Sequence, residues 1–175
     1  MATVTQVPRE TYLHTAYRPD CEYVDGELKE RNVGEKEHAR LQMTLSWILR
    51  NHEADWAISV YPELRVQISP TRFRVPDITV LRADAPDEQI ITHPPLIVIE
   101  ILSPSDSLLA MRERIEDYLA FAIPHIWIVD PTDRMGYICR SGIFREWQPS
   151  TQLAVPGTPI LLDLEQLAKQ EQLPR

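Results

Sequence analysis

The segment from Leu96 to Leu102 constrains the fold more than any other, because all of its residues except Glu100 are apolar. A continuous apolar run of this length is typical of a strand buried on both faces of a sheet. It is far too short to span a bilayer. Glu100 shares one face of the predicted strand with Val98 and Leu102. An isolated charge there would cost too much free energy, so this carboxylate must be paired, protonated or bound to a cation.

A second acidic residue lies in the strand-like segment 72–81. Asp77 shares one face of the predicted strand with Thr79 and Leu81, so its side chain is also expected to face inward. Pro76 cannot donate a hydrogen bond to a neighbouring strand. This segment is therefore expected to lie at a sheet edge or to be irregular at the proline.

Two inward carboxylates on neighbouring strands repel each other unless a cation lies between them. Oxygen ligands and partial hydration suit Mg²⁺ or Mn²⁺, so the pattern predicts a divalent-cation site at Asp77 and Glu100. The alternative is structural, with each acid paired to an arginine, for which the candidates are Arg72, Arg74 and Arg112. The pattern alone leaves both interpretations open.

Hydrophobic periodicity and turn residues predict an α/β fold with a mixed central β-sheet flanked by α-helices. Helices are predicted from Pro8 to about Tyr17, from Glu35 to about His52, and from Ser105 or Asp106 to about Phe121. Strands are predicted at 22–24 and 27–30 around an Asp-Gly turn, then at 56–61, 63–68, 72–81, 96–102 and 126–130. A hairpin of 135–140 with 143–147 follows, then a strand and helix at 160–170. We expect a single domain over 1–175, with a core at about 8–131 and a C-terminal hairpin and helix at 132–170.

The charge balance limits the choice of partners. With 26 acidic and 18 basic residues the formal net charge is −8, whereas a protein that binds phosphates through bulk charge is expected to be basic. A nucleic-acid role therefore needs a local basic surface or a metal ion. The sequence starts without a secretory signal pattern, and Cys21 and Cys139 show no disulfide or metal-ligand pattern. We expect a cytoplasmic protein without a membrane partner.

Several short blocks, taken in their order and spacing, resemble a known family. They are VPD at 75–77, VIEILSPS at 98–105, EYVDGEL at 22–28, EH at 37–38, and Tyr118 followed by IPHIWIVDP at 123–131. Together they resemble the Uma-two family of restriction endonucleases, which are proteins of the PD-(D/E)xK, restriction-endonuclease-like type. The resemblance covers about residues 8–131.

This resemblance implies a restriction endonuclease-like core and a Mg²⁺-dependent endonuclease that hydrolyses DNA phosphodiester bonds, with Mn²⁺ as an alternative cofactor. Asp77 and Glu100 would hold the metal, with the Ile101 carbonyl as a further ligand. Glu22 would add a carboxylate beside them, and His38 would contact phosphate or water. Periodicity alone favours a different role for His38, a hydrogen-bonded histidine in the core, because it extends the apolar face of its helix.

One position departs from the family pattern. The motif requires a lysine after the second acid, but position 102 is Leu, and Arg114 occupies the position on the next helix where the family usually has lysine. Arginine can stabilise a charged phosphate but cannot act as a general base. One alternative is therefore a catalytically degenerate relative that binds nucleic acid or a protein, and another is a metal-dependent hydrolase with a different substrate. By analogy with such folds we also expect a homodimer.

Overall fold

The computed structural model describes residues 6–31 and 34–171. The helices are α1 (Arg9–Leu13), α2 (Lys36–Asn51), α3 (Glu53–Trp56), α4 (Leu108–Ala120) and α5 (Leu164–Glu171). The strands are β1 (Cys21–Val24), β2 (Glu27–Glu30), β3 (Ile58–Pro62), β4 (Val66–Ser69), β5 (Arg72–Arg74), β6 (Ile78–Arg82), β7 (Ile97–Ile101), β8 (His125–Val129), β9 (Gly136–Ile138), β10 (Gln148–Ser150), β11 (Gln152–Ala154) and β12 (Leu161–Asp163). Residues 1–5, to which the expectation about a secretory signal applies, lie outside the described residues.

A six-stranded mixed sheet has the strand order β10-β9-β8-β7-β6-β3. β7 and β8 run parallel, and the other neighbouring pairs of this sheet are antiparallel. Every residue of β7 is buried, as the apolar run predicts for a strand covered on both faces. This arrangement, with helices packed against the sheet, confirms the predicted α/β class.

Helices α2 and α4 pack against different residues of β7. The buried leucines of α2 belong to an apolar cluster with Ile97 and Ile99, whereas Met111, Ile115 and Tyr118 of α4 belong to a second cluster with Val98. Because side chains alternate along a strand, Glu100 lies on the same face as Val98, toward α4. An acidic side chain therefore enters the layer between the central sheet and α4.

The segment 72–81 is not one strand, contrary to the prediction. β5 belongs to a four-stranded sheet of order β2-β1-β5-β4, whereas β6 lies in the six-stranded sheet between β3 and β7. Residues 75–77 connect the two sheets, and Pro76, which has no amide hydrogen, lies within this break. The break places Asp77 directly before β6. It also brings β1, which carries Glu22, next to β5.

Three further details differ from the predictions. β9 pairs with β10 at Gln148–Ser150, and the predicted second hairpin strand at 143–147 instead contains a 3₁₀ turn at Phe144–Glu146. The N-cap of α4 is Ser107, whose hydroxyl accepts a hydrogen bond from the Ala110 amide at 3.0 Å, rather than Ser105 or Asp106. Helix α1 ends at Leu13, before the predicted Tyr17.

The C-terminal elements extend the packing on the α2 side. β11, β12 and α5 contribute buried leucines to the cluster that contains Ile97 and Ile99. The predicted single domain over 1–175 and its division at about residue 131 stay predictions. Among the described helices, none is both long and apolar enough to cross a membrane.

Candidate functional site

Adjacent ends of β6 and β7 bring Asp77 and Glu100 to one small cavity. Ile78 pairs with Ile99, and the amide of Ile101 donates a 2.8 Å hydrogen bond to Asp77 Oδ2. The cavity has a volume of about 20 Å³, and its lining includes both carboxylates with Arg31, His38, Ile101 and Arg114. A space of this size holds about one water molecule or one small ion.

Asp77 is held by side chains from two parts of the chain, in addition to the Ile101 amide of β7. Its Oδ1 accepts a 3.0 Å hydrogen bond from Arg31, which follows β2, and its Oδ2 lies 3.2 Å from His38 Nε2 on α2. Gln42, one turn further along α2, donates to the Asp77 backbone carbonyl at 3.0 Å. The hydrogen bond with Asp77 raises the pKa of His38, although burial of the ring acts in the opposite direction. The half-buried ring contacts the Asp77 carboxylate through Nε2, whereas its buried Nδ1 has no hydrogen-bond partner among the described residues, and the role of His38 toward phosphate or water stays a prediction.

Glu100 has a different environment. Only 3% of the residue is exposed, and burial raises the pKa of its carboxyl to about 8. The charge of Arg114 lowers this pKa, and the negative charges of Asp77 and Glu22 raise it. Tyr118 donates a short hydrogen bond to Glu100 Oε1, and Arg114 Nη1 lies 3.8 Å from Oε2. A nearby cation would relieve the unfavourable burial of this negative charge.

Glu22 is joined to the site through arginines. Its Oε2 accepts a 2.7 Å hydrogen bond from Arg74 and lies 3.4 Å from Arg114 Nε, and its Oε1 accepts from the Val75 amide at 3.1 Å. Arg114 therefore lies between Glu22 and Glu100. Their charges raise the pKa of Arg114, so its guanidinium stays protonated.

The arginines named as structural partners do not contact Asp77 or Glu100. Arg74 is buried and binds Glu22 and Asp117, and Arg72 binds Asp25 and Asp117. Arg112 instead pairs with Glu116 on the exposed face of α4. The arginines beside the two acids are Arg31 and Arg114.

The residues of the cavity fit a divalent cation that keeps part of its hydration shell. Asp77 and Glu100 offer hard carboxylate oxygens beside an ion-sized space, and Mg²⁺ commonly takes only one or two carboxylates from a protein. Within residues 6–31 and 34–171, no group of three or more His, Cys, Asp or Glu side chains is arranged to hold a metal. Water and substrate oxygens would therefore supply the remaining ligands.

Sequence reasoning missed two side chains of the site and gave a third no role there. Arg31 and Gln42 carried no signal, because neither lies in an apolar pattern and each contacts Asp77 across more than thirty residues. Tyr118 was named only as part of the family resemblance. Its spacing of four residues from Arg114 places both on one helix face, and this spacing could have indicated a shared partner.

The family described as "Putative restriction endonuclease" (Uma2) matches residues 9–171. The chain belongs to this family. Membership confirms the resemblance carried by the short sequence blocks and extends it over most of the chain. Together with the fold, membership of this family supports a nuclease function.

Comparison with solved structures agrees with this assignment at the level of the fold. The crystal structure of a "putative nuclease belonging to DUF820" from Anabaena variabilis ATCC 29413 matches with a TM-score of 0.76 and 20% identity. The match covers 93% of this chain and 98% of that chain. A cryo-electron microscopy structure of a DrdV–DNA complex matches with a TM-score of 0.40 and 13% identity, over 73% of this chain and 10% of that one. This second likeness carries no argument. No curated protein matches the chain.

Proposed function

We propose that this protein is an endodeoxyribonuclease of the PD-(D/E)xK type that hydrolyses DNA phosphodiester bonds with bound Mg²⁺ or Mn²⁺. The observation that carries the proposal is the convergence of Asp77 and Glu100 on one ion-sized cavity, in a chain of a restriction endonuclease family. Paired carboxylates at the ends of adjacent strands suit metal-assisted hydrolysis better than acid–base chemistry alone, because they can hold a cation against a phosphate.

In this proposal Asp77 and Glu100 hold the cation, and the Ile101 carbonyl is a further ligand. A divalent cation held by these residues would polarise the scissile phosphate and lower the pKa of a bound water. The Ile101 amide orients the Asp77 carboxylate through its hydrogen bond, and the Tyr118 hydroxyl orients Glu100 in the same way. Fixed orientation of carboxylate ligands is a usual requirement for metal affinity and activity.

Of the remaining residues, Arg114 and His38 act on the substrate, and Glu22 acts on Arg114. Arg114 stays charged and lines the cavity, so it supplies positive charge to phosphate oxygens where the family pattern has lysine. Because a guanidinium does not release its proton, Arg114 stabilises charge and does not act as a base. Glu22 holds Arg114 in position, and His38 contacts the phosphate or the attacking water from the other side of Asp77.

A second candidate function is a binding module without catalytic activity. The observation that favours it is that each acid already has a guanidinium beside it, Arg31 at 3.0 Å from Asp77 and Arg114 at 3.8 Å from Glu100. Two such pairs can neutralise the site without a metal. In that case the cleft would bind nucleic acid or a protein without cleaving it.

Incubation of supercoiled plasmid with the protein and Mg²⁺ or Mn²⁺ separates the two functions. The nuclease proposal predicts nicked or linear products from the wild-type protein and loss of cutting by at least about 100-fold in Asp77→Ala and Glu100→Ala. Asp84→Ala, which changes an exposed acid in the loop between β6 and β7, is the matched control and should cut normally. Cutting that persists in both site variants would assign the activity to a contaminant. DNA binding without cutting, by a protein that the cation does stabilise, would favour the binding module.

A further inference from the structure

A second and larger cavity adjoins the ion-sized one. It has a volume of about 440 Å³, and the two cavities share His38, Ser103 and Asp106 in their linings. Its apolar lining comes from Leu102, Leu108, Met111, Phe144 and Trp147. A substrate group in this cavity would therefore lie next to a phosphate held at Asp77 and Glu100.

One wall of this cavity is aromatic. The ring of Phe144 packs edge-to-face on Trp147 with 5.0 Å between centroids, yet 52% of Phe144 is exposed. Trp147 is buried, and its indole N–H donates a 2.9 Å hydrogen bond to the Ser141 carbonyl, which fixes the ring that supports Phe144. Supported aromatic rings that remain exposed are typical surfaces for stacking a nucleobase.

Apart from His38, which it shares with the ion-sized cavity, the ionisable side chains among the described lining residues of this cavity are acidic. Glu35, Glu37, Asp106 and Asp130 line it, and no lysine or arginine is among its described lining residues. Carboxylates repel phosphate, but they accept hydrogen bonds from exocyclic amino groups of bases. The volume lies within the range of ligand pockets and is sufficient for a single nucleoside. The chemistry of this cavity therefore suits a base and excludes the sugar–phosphate backbone.

We propose that this cavity takes one unstacked nucleobase of the DNA strand that is cut, so that the preferred substrate contains an unpaired base. The inference rests on the proposed nuclease function, because it places the scissile phosphate at Asp77 and Glu100. A base inside a duplex cannot reach Phe144 without leaving the stack, and an unpaired base leaves it at the lowest cost.

Two duplexes that differ by one bulged base test the proposal. One is fully paired, and the other carries a single unpaired 2-aminopurine, whose fluorescence reports stacking. Dissociation constants and cleavage rates are measured for both in Mg²⁺. We expect the wild-type protein to prefer the bulged duplex by about tenfold, with a change in 2-aminopurine emission on binding. Phe144→Ala and Leu108→Ala change two exposed positions of the cavity. Each should bring the ratio of the dissociation constants for the two duplexes closer to one.

Tyr61→Ala is the matched control, because Tyr61 is an exposed aromatic residue on β3 outside this cavity and should keep the full preference. Circular dichroism melting verifies that all three variants are folded. Cleavage of both duplexes at equal rates would overturn the inference and leave the nuclease function intact. Preferential binding of the bulged duplex that depends on Phe144, without any cleavage, would support the base cavity and overturn the nuclease function. A preference that survives both cavity variants would also overturn the inference.

Discussion

The guanidinium of Arg31 lies 3.0 Å from Asp77 Oδ1, on the carboxylate proposed to bind the cation, and its other terminal nitrogen lies 3.5 Å from Glu63. The Arg31 side chain is only 13% exposed, so its charge is poorly screened by water. A divalent cation at Asp77 would therefore meet a positive charge already in contact with one of its ligands. Arg31 and a bound cation would compete for the same carboxylate.

This competition predicts the effect of neutralising Arg31. Arg31→Gln removes the positive charge but keeps a hydrogen-bond donor near Asp77, so Mn²⁺ should bind about tenfold more tightly, an order-of-magnitude expectation for a like charge at this range. Isothermal titration calorimetry with Mn²⁺ measures the change. Arg112→Gln, at an exposed arginine paired with Glu116, is the control and should leave the affinity unchanged. Weaker binding in Arg31→Gln would show that Arg31 positions Asp77 instead of competing for it.

The buried carboxyl of Glu100 predicts a pH dependence of stability without metal. Its pKa of about 8 in the folded protein lies above the ordinary glutamate value, so the folded state binds more protons than the unfolded state between about pH 4.5 and 8. The free energy of unfolding should therefore fall as the pH rises through this window and level off above it. Urea denaturation at a series of pH values measures the slope.

Glu100→Gln isolates this contribution, because the amide keeps the shape of the side chain and does not titrate. The variant should show a much shallower slope between about pH 4.5 and 8. A smaller slope should remain from His38, whose raised pKa also lowers stability as the pH rises. Equal slopes in the variant and the wild-type protein would contradict the assigned pKa of Glu100.

The buried position of Glu100 was predictable from sequence because its signal was local. Alternation along a single strand shows that Glu100 faces an apolar layer, and no knowledge of distant residues is needed. The same kind of pattern was misleading at 72–81, because continuous alternation did not show that the chain passes there from one sheet to the other. Pro76 marked the irregularity, but its missing amide hydrogen alone does not indicate which sheet follows.

The neighbours of the acids were not predictable in this way. Arg31 reaches Asp77 from 46 residues away, and the sequence pattern of a polar residue after a hairpin is the same whether it meets solvent or a buried carboxylate. At Phe144 the sequence was misleading in the other direction. The apolar residues around it predicted a strand, but the chain forms a 3₁₀ turn that leaves the ring exposed. Both depend on tertiary packing, which local periodicity does not encode.

The hydrogen bond from Tyr118 to Glu100 predicts that the orientation of this carboxylate affects metal affinity. Tyr118→Phe removes the hydroxyl that donates to Glu100 Oε1 and changes little of the buried volume, so it should weaken Mn²⁺ binding by about 10- to 100-fold. Titration calorimetry gives the affinity, and plasmid cutting at saturating metal gives the remaining activity. Tyr137→Phe, at a half-buried tyrosine of β9 outside the ion-sized cavity, is the control for metal affinity. An unchanged affinity in Tyr118→Phe would mean that the hydroxyl serves only the packing of α4.

Substitution of Arg114 should have separable effects on stability and on activity, because this residue contacts both Glu22 and Glu100. Arg114→Ala removes the positive charge between two buried carboxylates and should lower the free energy of unfolding by about 3 kcal/mol, the scale for breaking a buried ion pair. Urea denaturation at pH 9, above the pKa of about 8 of Glu100, measures this loss. Arg112→Ala, two residues earlier on the exposed face of α4, should change stability by less than about 0.5 kcal/mol.

Arg114→Lys then separates the two accounts of the site, because it restores the residue type of the family pattern while keeping the charge. If the arginine is a remnant in a degenerate site, the lysine variant should gain plasmid-cutting activity over the wild-type protein. If Arg114 binds phosphate through its planar fork, the lysine variant should lose activity by about tenfold, since a single ammonium cannot make the same paired hydrogen bonds. We expect the loss, because Arg114 reaches Glu22 through Nε and Glu100 through Nη1, and a lysine ammonium would not be held at the cavity by both contacts.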